Sequence, residues 1–180
     1  MGRHRPSSYS LKKTNETMKK FILTDETIEM FGVTLHRIKA VRSFGNVKEG
    51  ELGGFVEKEE NISENFEAWV WGDAKVWGDA KVSGNAEVSG NAKVSGNAKV
   101  SGNAEVWGNA KVSGNADYIV FKNWWSSGRY FTWTRSNNMW SVGCFYGTGE
   151  ELIKRAYADS EKSGREYERV VRFVESILED

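Results

Sequence analysis

From Phe66 to Ile119 the sequence repeats itself every six residues: FEAWVW, GDAKVW, GDAKVS, GNAEVS, GNAKVS, GNAKVS, GNAEVW, GNAKVS, GNADYI. Alanine recurs at 68, 74, 80, 86, 92, 98, 104, 110 and 116, and valine at 70, 76, 82, 88, 94, 100, 106 and 112. Six is not a helical period. It is three times the strand period, so Ala and Val return to the same face in every hexad. The intervening Gly-Asn or Gly-Asp accepts left-handed backbone and turns a corner at low energetic cost. Each hexad therefore reads as a short flat strand followed by a corner.

Closing such pieces into a polygon gives a parallel β-helix, with three hexads and 18 residues to each triangular lap. One hexad buries only an Ala and a Val, too little to offset its own ordering entropy. Stacked laps pool those side chains into one column and pair backbone groups with the lap above or below. The position between Ala and Val supports the 18-residue lap independently. It reads Lys75, Lys81, Glu87, Lys93, Lys99, Glu105, Lys111, Asp117. In-register stacking places Lys75, Lys93 and Lys111 in one outward column, and Lys81 and Lys99, ending in Asp117, in a second. Trp69, Glu87 and Glu105 form the third. Duplication of an 18-residue unit with charges that keep the rod in solution accounts for this pattern. Like charges one strand spacing apart are mildly unfavourable, so the Lys75–Lys93–Lys111 column is also a candidate seat for an anionic partner.

The flanks differ in character. Residues 1–17 are basic and poor in aliphatics, and read as a disordered leader. Residues 18–65 read as short strands and a lid leading into the repeat, which spans 66–119. Residues 120–180 read as a three-strand aromatic meander followed by two helices. Thr148 and Glu151 have capping-box spacing, and Tyr167, Val170, Val171, Val174, Ile177 and Leu178 make an apolar stripe. This β-β-β-α-α unit caps the end of the rod, where an open lap would expose a strand edge.

Net charge is zero, which argues against a whole-molecule DNA mimic and gives no global field towards nucleic acid or an anionic membrane, so nucleic acid is not the expected partner. The single cysteine, Cys144, allows no internal disulfide and suits a reducing compartment. No apolar run approaches a membrane span, and the N-terminus lacks a signal-peptide core. A cytoplasmic location, in a bacterial host, is the expectation.

The hexads resemble the left-handed parallel β-helix of the hexapeptide-repeat superfamily. Val76 to Ala80 and Val82 to Ala86 match its spacing of an aliphatic residue and a small one four places on, although Gly falls two places after Val instead of directly after it. The flanks "GVTLHRIKAVRSFGNVKEGELGGFVEKEENIS" and "WSVGCFYGTGEEL" are similar to small phage and prophage hexapeptide-repeat proteins without an established activity. The resemblance implies a left-handed, mainly β fold of about three coils and a phage-linked context, with no catalytic residue to carry over.

Acyltransferases of that superfamily use a histidine on the coil surface as general base. Here no hexad contains one; His4 lies in the leader and His36 in a strand before the coils. Cys144 lies among aromatics with no neighbouring His and reads as a buried structural thiol. Asp73 and Asp79 sit at corners, but a calcium-binding repeat has another period. No cofactor and no metal is expected.

What remains is surface. Trp71, Trp77 and Trp107 follow Val and should point outward, where large apolar groups mark interfaces unless the terminal units fold over them. Trp124 and Trp125 are adjacent, so one of them should lie outside the small core. The meander aromatics, Trp124 and Trp125 among them, with Arg129, Arg135 and Lys122 could also stack single-stranded nucleic acid. The expected function is a non-enzymatic interaction or scaffold protein of phage type, binding a host protein or another copy of itself as a dimer or trimer. A counter-defence inhibitor of a host immune complex, such as a CRISPR effector, is its specific form. A superfamily acyltransferase is the alternative, and single-stranded nucleic-acid binding through the aromatic C-terminal module is a second.

Overall fold

The computed structural model describes residues 19–178, so the leader expected over 1–17 lies outside the described residues. A hairpin comes first, β1 (Phe21–Met30) with β2 (Val33–Ala40), followed by β3 (Leu52–Val56). Eight two-residue strands follow at six-residue intervals: β4 (Trp69–Val70), β5 (Lys75–Val76), β6 (Lys81–Val82), β7 (Glu87–Val88), β8 (Lys93–Val94), β9 (Lys99–Val100), β10 (Glu105–Val106) and β11 (Lys111–Val112). They stack in parallel on three sides: β5-β8-β11, β4-β7-β10 and β6-β9. Val70 pairs with Val88 and Val88 with Val106, so one lap is 18 residues. The chain is a mainly β solenoid of about three turns, followed by two helices.

The repeated Ala and Val side chains from Ala68 to Val112 are buried in one continuous column. Corner glycines from Gly72 to Gly108 carry φ between 57° and 69°, the left-handed region the hexad spacing requires. Between laps, the N–H groups of Lys75, Lys81, Glu87 and Lys93 donate to the carbonyls of Ala92, Ala98, Ala104 and Ala110, each at 2.9 Å.

The solenoid begins before the hexads do. β3 is a parallel rung on β5, with Phe55 opposite Lys75, and Ile62 bridges in parallel to Val82. These pairs are two residues longer than a regular lap. The surplus is absorbed around Phe66, which sits at φ 63°. At the other end Ala116 does not turn inward. Residues Asn115–Asp117 form a 3₁₀ turn that leaves Ala116 exposed, and Tyr118 and Val120 pack against the core instead. Asp117 therefore does not extend the Lys81–Lys99 column; its Oδ2 accepts from the N–H groups of Ser113 and Gly114.

Both open ends are closed by side chains. In the last lap the N–H of Lys99 donates to Asn115 Oδ1 (2.9 Å), that of Glu105 to Thr132 Oγ1 (2.9 Å) and that of Lys111 to Ser136 Oγ (2.7 Å). One oxygen thus serves each of the three sides, where the next lap's carbonyl would have been. At the first lap the donors are reversed. Lys20 Nζ donates to Ala68 O, Asn61 Nδ2 to Gly78 O and Ala80 O, and Arg37 Nη1 to Gly72 O.

The C-terminal unit has four antiparallel strands, not three: β12 (Tyr118–Lys122), β13 (Tyr130–Thr134), β14 (Met139–Val142) and β15 (Phe145–Gly147). The third expected strand is split by a tight turn at Gly143, φ 57°, and folds back on itself. Helices α1 (Gly149–Asp159) and α2 (Glu161–Ser176) complete it, with Thr148 and Glu151 forming the expected capping box. Trp125, Phe131, Trp133, Trp140, Tyr167 and Val171 make a second core. Ile177 and Leu178 fall beyond the helix end and are exposed.

Gly84 and Gly102 share the same backbone, φ 67° and 69°, but differ in surroundings. A Cβ on Gly84 would lie 2.9 Å from the Gly102 carbonyl oxygen, whereas Gly102 has open space around it. Gly102→Ala should cost about 1–2 kcal/mol, the left-handed penalty alone. Gly84→Ala should cost about 1–3 kcal/mol more, because backbone must move. Urea titrations of the two variants measure the difference.

Candidate interaction surfaces

The three outward columns form, the second without Asp117. Lys75, Lys93 and Lys111 stand in register, as do Lys81 with Lys99, and Trp69 with Glu87 and Glu105. They are not equally exposed. Trp69 is fully buried, contrary to its place in an outward column, because the N-terminal strands fold over it. Phe21 and Phe44 meet its ring edge-on at 6.1 and 5.4 Å, and Trp71 packs against it at 6.5 Å. Trp71, Trp77 and Trp107 are each half-buried, neither fully outward nor fully covered by the terminal units.

The column of acids is the most perturbed electrostatically. Glu105 Oε2 is buried without a hydrogen-bond partner. Burial first, and then the charge of Glu87 on the neighbouring rung, push the Glu105 carboxyl up to about 7, with Arg129 pulling the other way. Burial also raises Glu87. At the first lap, burial lowers Lys20 to about 8 in spite of the nearby Glu64.

On the C-terminal unit the Trp124–Trp125 pair divides its roles. Trp125 is buried against Tyr167 (4.9 Å, edge-on) and Phe131, whereas Trp124 is 75% exposed. The turn that holds them is fixed by Asn123, which is buried. Its Nδ2 donates to Tyr167 Oη, and its Oδ1 accepts from both the N–H and the hydroxyl of Ser126. Arg129 and Arg135 are exposed and stand at opposite ends of β13. Trp125, Trp133 and Trp140 are all buried, so Trp124 is the exposed indole of the meander, beside the partly exposed rings of Tyr130 and Tyr146.

Cys144 is exposed, not buried as its aromatic neighbours in the sequence imply, with Arg155 Nη2 4.0 Å from its sulfur. His36 Nδ1 lies 3.2 Å from the Thr24 carbonyl oxygen, on the hairpin. Among the described residues no group of three or more His, Cys, Asp or Glu converges as metal ligands. None of their helices is long and apolar enough to cross a membrane.

Two exposed aromatics escape the periodicity argument: Phe31, 84% exposed with φ 51°, and Phe66, 73% exposed with φ 63°. Phe31-Gly32 is a two-residue hairpin turn. Such a dipeptide between β-rich segments was the available signal, but Phe in place of Asn hides it.

Comparison with known proteins adds no relative: no protein-family model matches the chain, and no curated protein matches it significantly.

The Glu105 shift has a definite sign. Its carboxyl has a higher pKa folded than unfolded, so its contribution is full below about 4.5 and is lost as pH rises through about 7. The melting temperature should therefore fall between pH 5 and pH 8 by more in the wild type than in Glu105→Gln. Thermal melts across that range check it.

Proposed function

We propose that the protein is a non-enzymatic interaction protein, with a solenoid that holds its C-terminal aromatic unit rigidly against a protein partner. The observation that carries this reading is Trp124, three-quarters exposed on a turn that is itself anchored by buried Trp125 and Asn123. Exposing an indole costs hydration free energy, and fixing its turn removes the entropy that would otherwise be lost on docking. That combination is the pattern of an interface hot spot. The sequence resemblance to phage proteins favours the cytoplasm of a bacterial host as the setting, and a component of a host immune complex as the partner. A second copy of the chain is the other candidate partner.

Trp124→Ala should keep the wild-type melting temperature, since the side chain contributes little to the core, and lose partner capture by about thirtyfold, a hot-spot loss of about 2 kcal/mol. Quantitative pull-down of the phage host's CRISPR effector, with light scattering to detect self-association, measures this. Capture unchanged in the variant removes Trp124 from the interface. A melting shift with acetyl-coenzyme A, in place of any partner, would favour acyl transfer instead.

A further inference from the structure

The sheet face that carries the Lys75–Lys93–Lys111 column is hollowed on both sides. One hollow, of about 220 Å³, is lined by Phe31, Trp77, Ser95 and Ser113 together with Lys93 and Lys111. The other, of about 310 Å³, is lined by Met30, Asn91 and Asn109 and shares the same two lysines. The tip of the β1–β2 hairpin walls both, Met30 on one side and Phe31 on the other.

Lys93 and Lys111 stand in register on neighbouring rungs, about 4.8 Å apart. Neither has a carboxylate within ion-pair distance among the described residues. Lys75 differs, since its Nζ donates to the Asp73 carbonyl and lies over the Phe55 ring. The two lysines above it thus hold an uncompensated positive pair along the rod.

Phe31 is doubly unfavourable where it is. It takes the first central position of a turn in which both residues have positive φ, 51° at Phe31 and 79° at Gly32, where Asn or Gly is preferred. Its ring is also left in water, with its centroid 6.3 Å from that of Trp77. Strain and exposure retained together at one residue point to a ligand.

We propose that this face binds single-stranded nucleic acid. Phosphates lie over Lys93 and Lys111, and a base stacks on the Phe31–Trp77 pair. The Ser95 and Ser113 hydroxyls and the Asn91 and Asn109 amides meet base edges and sugar. Those groups both donate and accept, as base edges do. An acidic peptide, whose carboxylates only accept, would use the lysines and leave the rings unengaged. A duplex would hide the base faces that the rings require. This face is separate from Trp124, so the two proposals fail independently.

The test is fluorescence anisotropy with a labelled oligothymidylate of about 12 nucleotides, within the site sizes such grooves cover. Phe31→Asn installs the residue the turn favours, so folding is kept while the ring is lost. It should weaken binding roughly 5- to 150-fold, the loss of one stacked base. Lys93→Gln with Lys111→Gln should make the slope of log affinity against log salt shallower by about 1.4, for two phosphate contacts on a single strand. Trp124→Ala should bind as wild type. Absence of binding at low salt, or an affinity unchanged by Phe31→Asn, would overturn the proposal. So would equal capture of polyglutamate that depends on the lysines and not on Phe31, which would assign the face to an acidic protein.

Discussion

The backbone ladder between laps is the interaction on which everything else rests. Each hexad contributes one Ala and one Val to the interior, and no strand is longer than two residues within the repeat. Neither local propensity nor one lap's burial could hold such a structure. What holds it is register. Eighteen residues return the chain to the same side, so the N–H groups of Lys75, Lys81, Glu87 and Lys93 each find an alanine carbonyl one lap on. The same register lines up the outward residues, and so it creates the lysine pair and the acid pair as by-products.

A ladder of this kind has two open ends, and the terminal units are built around them. Three side-chain oxygens, from Asn115, Thr132 and Ser136, stand where a fourth lap's carbonyls would be. Lys20, Asn61 and Arg37 supply donors at the opposite end. A buried edge without partners would cost about 1–3 kcal/mol for each group and would template pairing with other chains. The costs of this arrangement are visible. Burial lowers Lys20 to about 8 and raises Glu105 to about 7, each group held where its charged form is disfavoured.

The sequence disclosed the lap, the three columns, the capping box and the division of Trp124 from Trp125, because each rests on spacing or on a local steric limit. It concealed what depends on single residues meeting across the fold. The first rung uses Phe55 and Ile62 without a Gly-Asn corner, so it carries no hexad signature. Trp69 sits at an outward position by period yet is buried, because Phe21 and Phe44 arrive from a segment with no repeat to announce them. Thr132 and Ser136 are ordinary meander residues until Glu105 and Lys111 are placed beneath them. Phe31 looked like one more apolar strand residue, and only its positive φ and its exposure set it apart.

Hydrogen exchange resolved to single amides tests the central claim, that side chains finish the ladder. The Glu87 and Lys93 amides, inside the stack, and the Lys99, Glu105 and Lys111 amides, at its edge, should all be protected. Thr132→Val should accelerate exchange at Glu105 while Lys99 and Lys111 keep their protection. Edge amides that exchange at unprotected rates in the wild-type protein, or a Thr132→Val variant with Glu105 exchange unchanged, would contradict it.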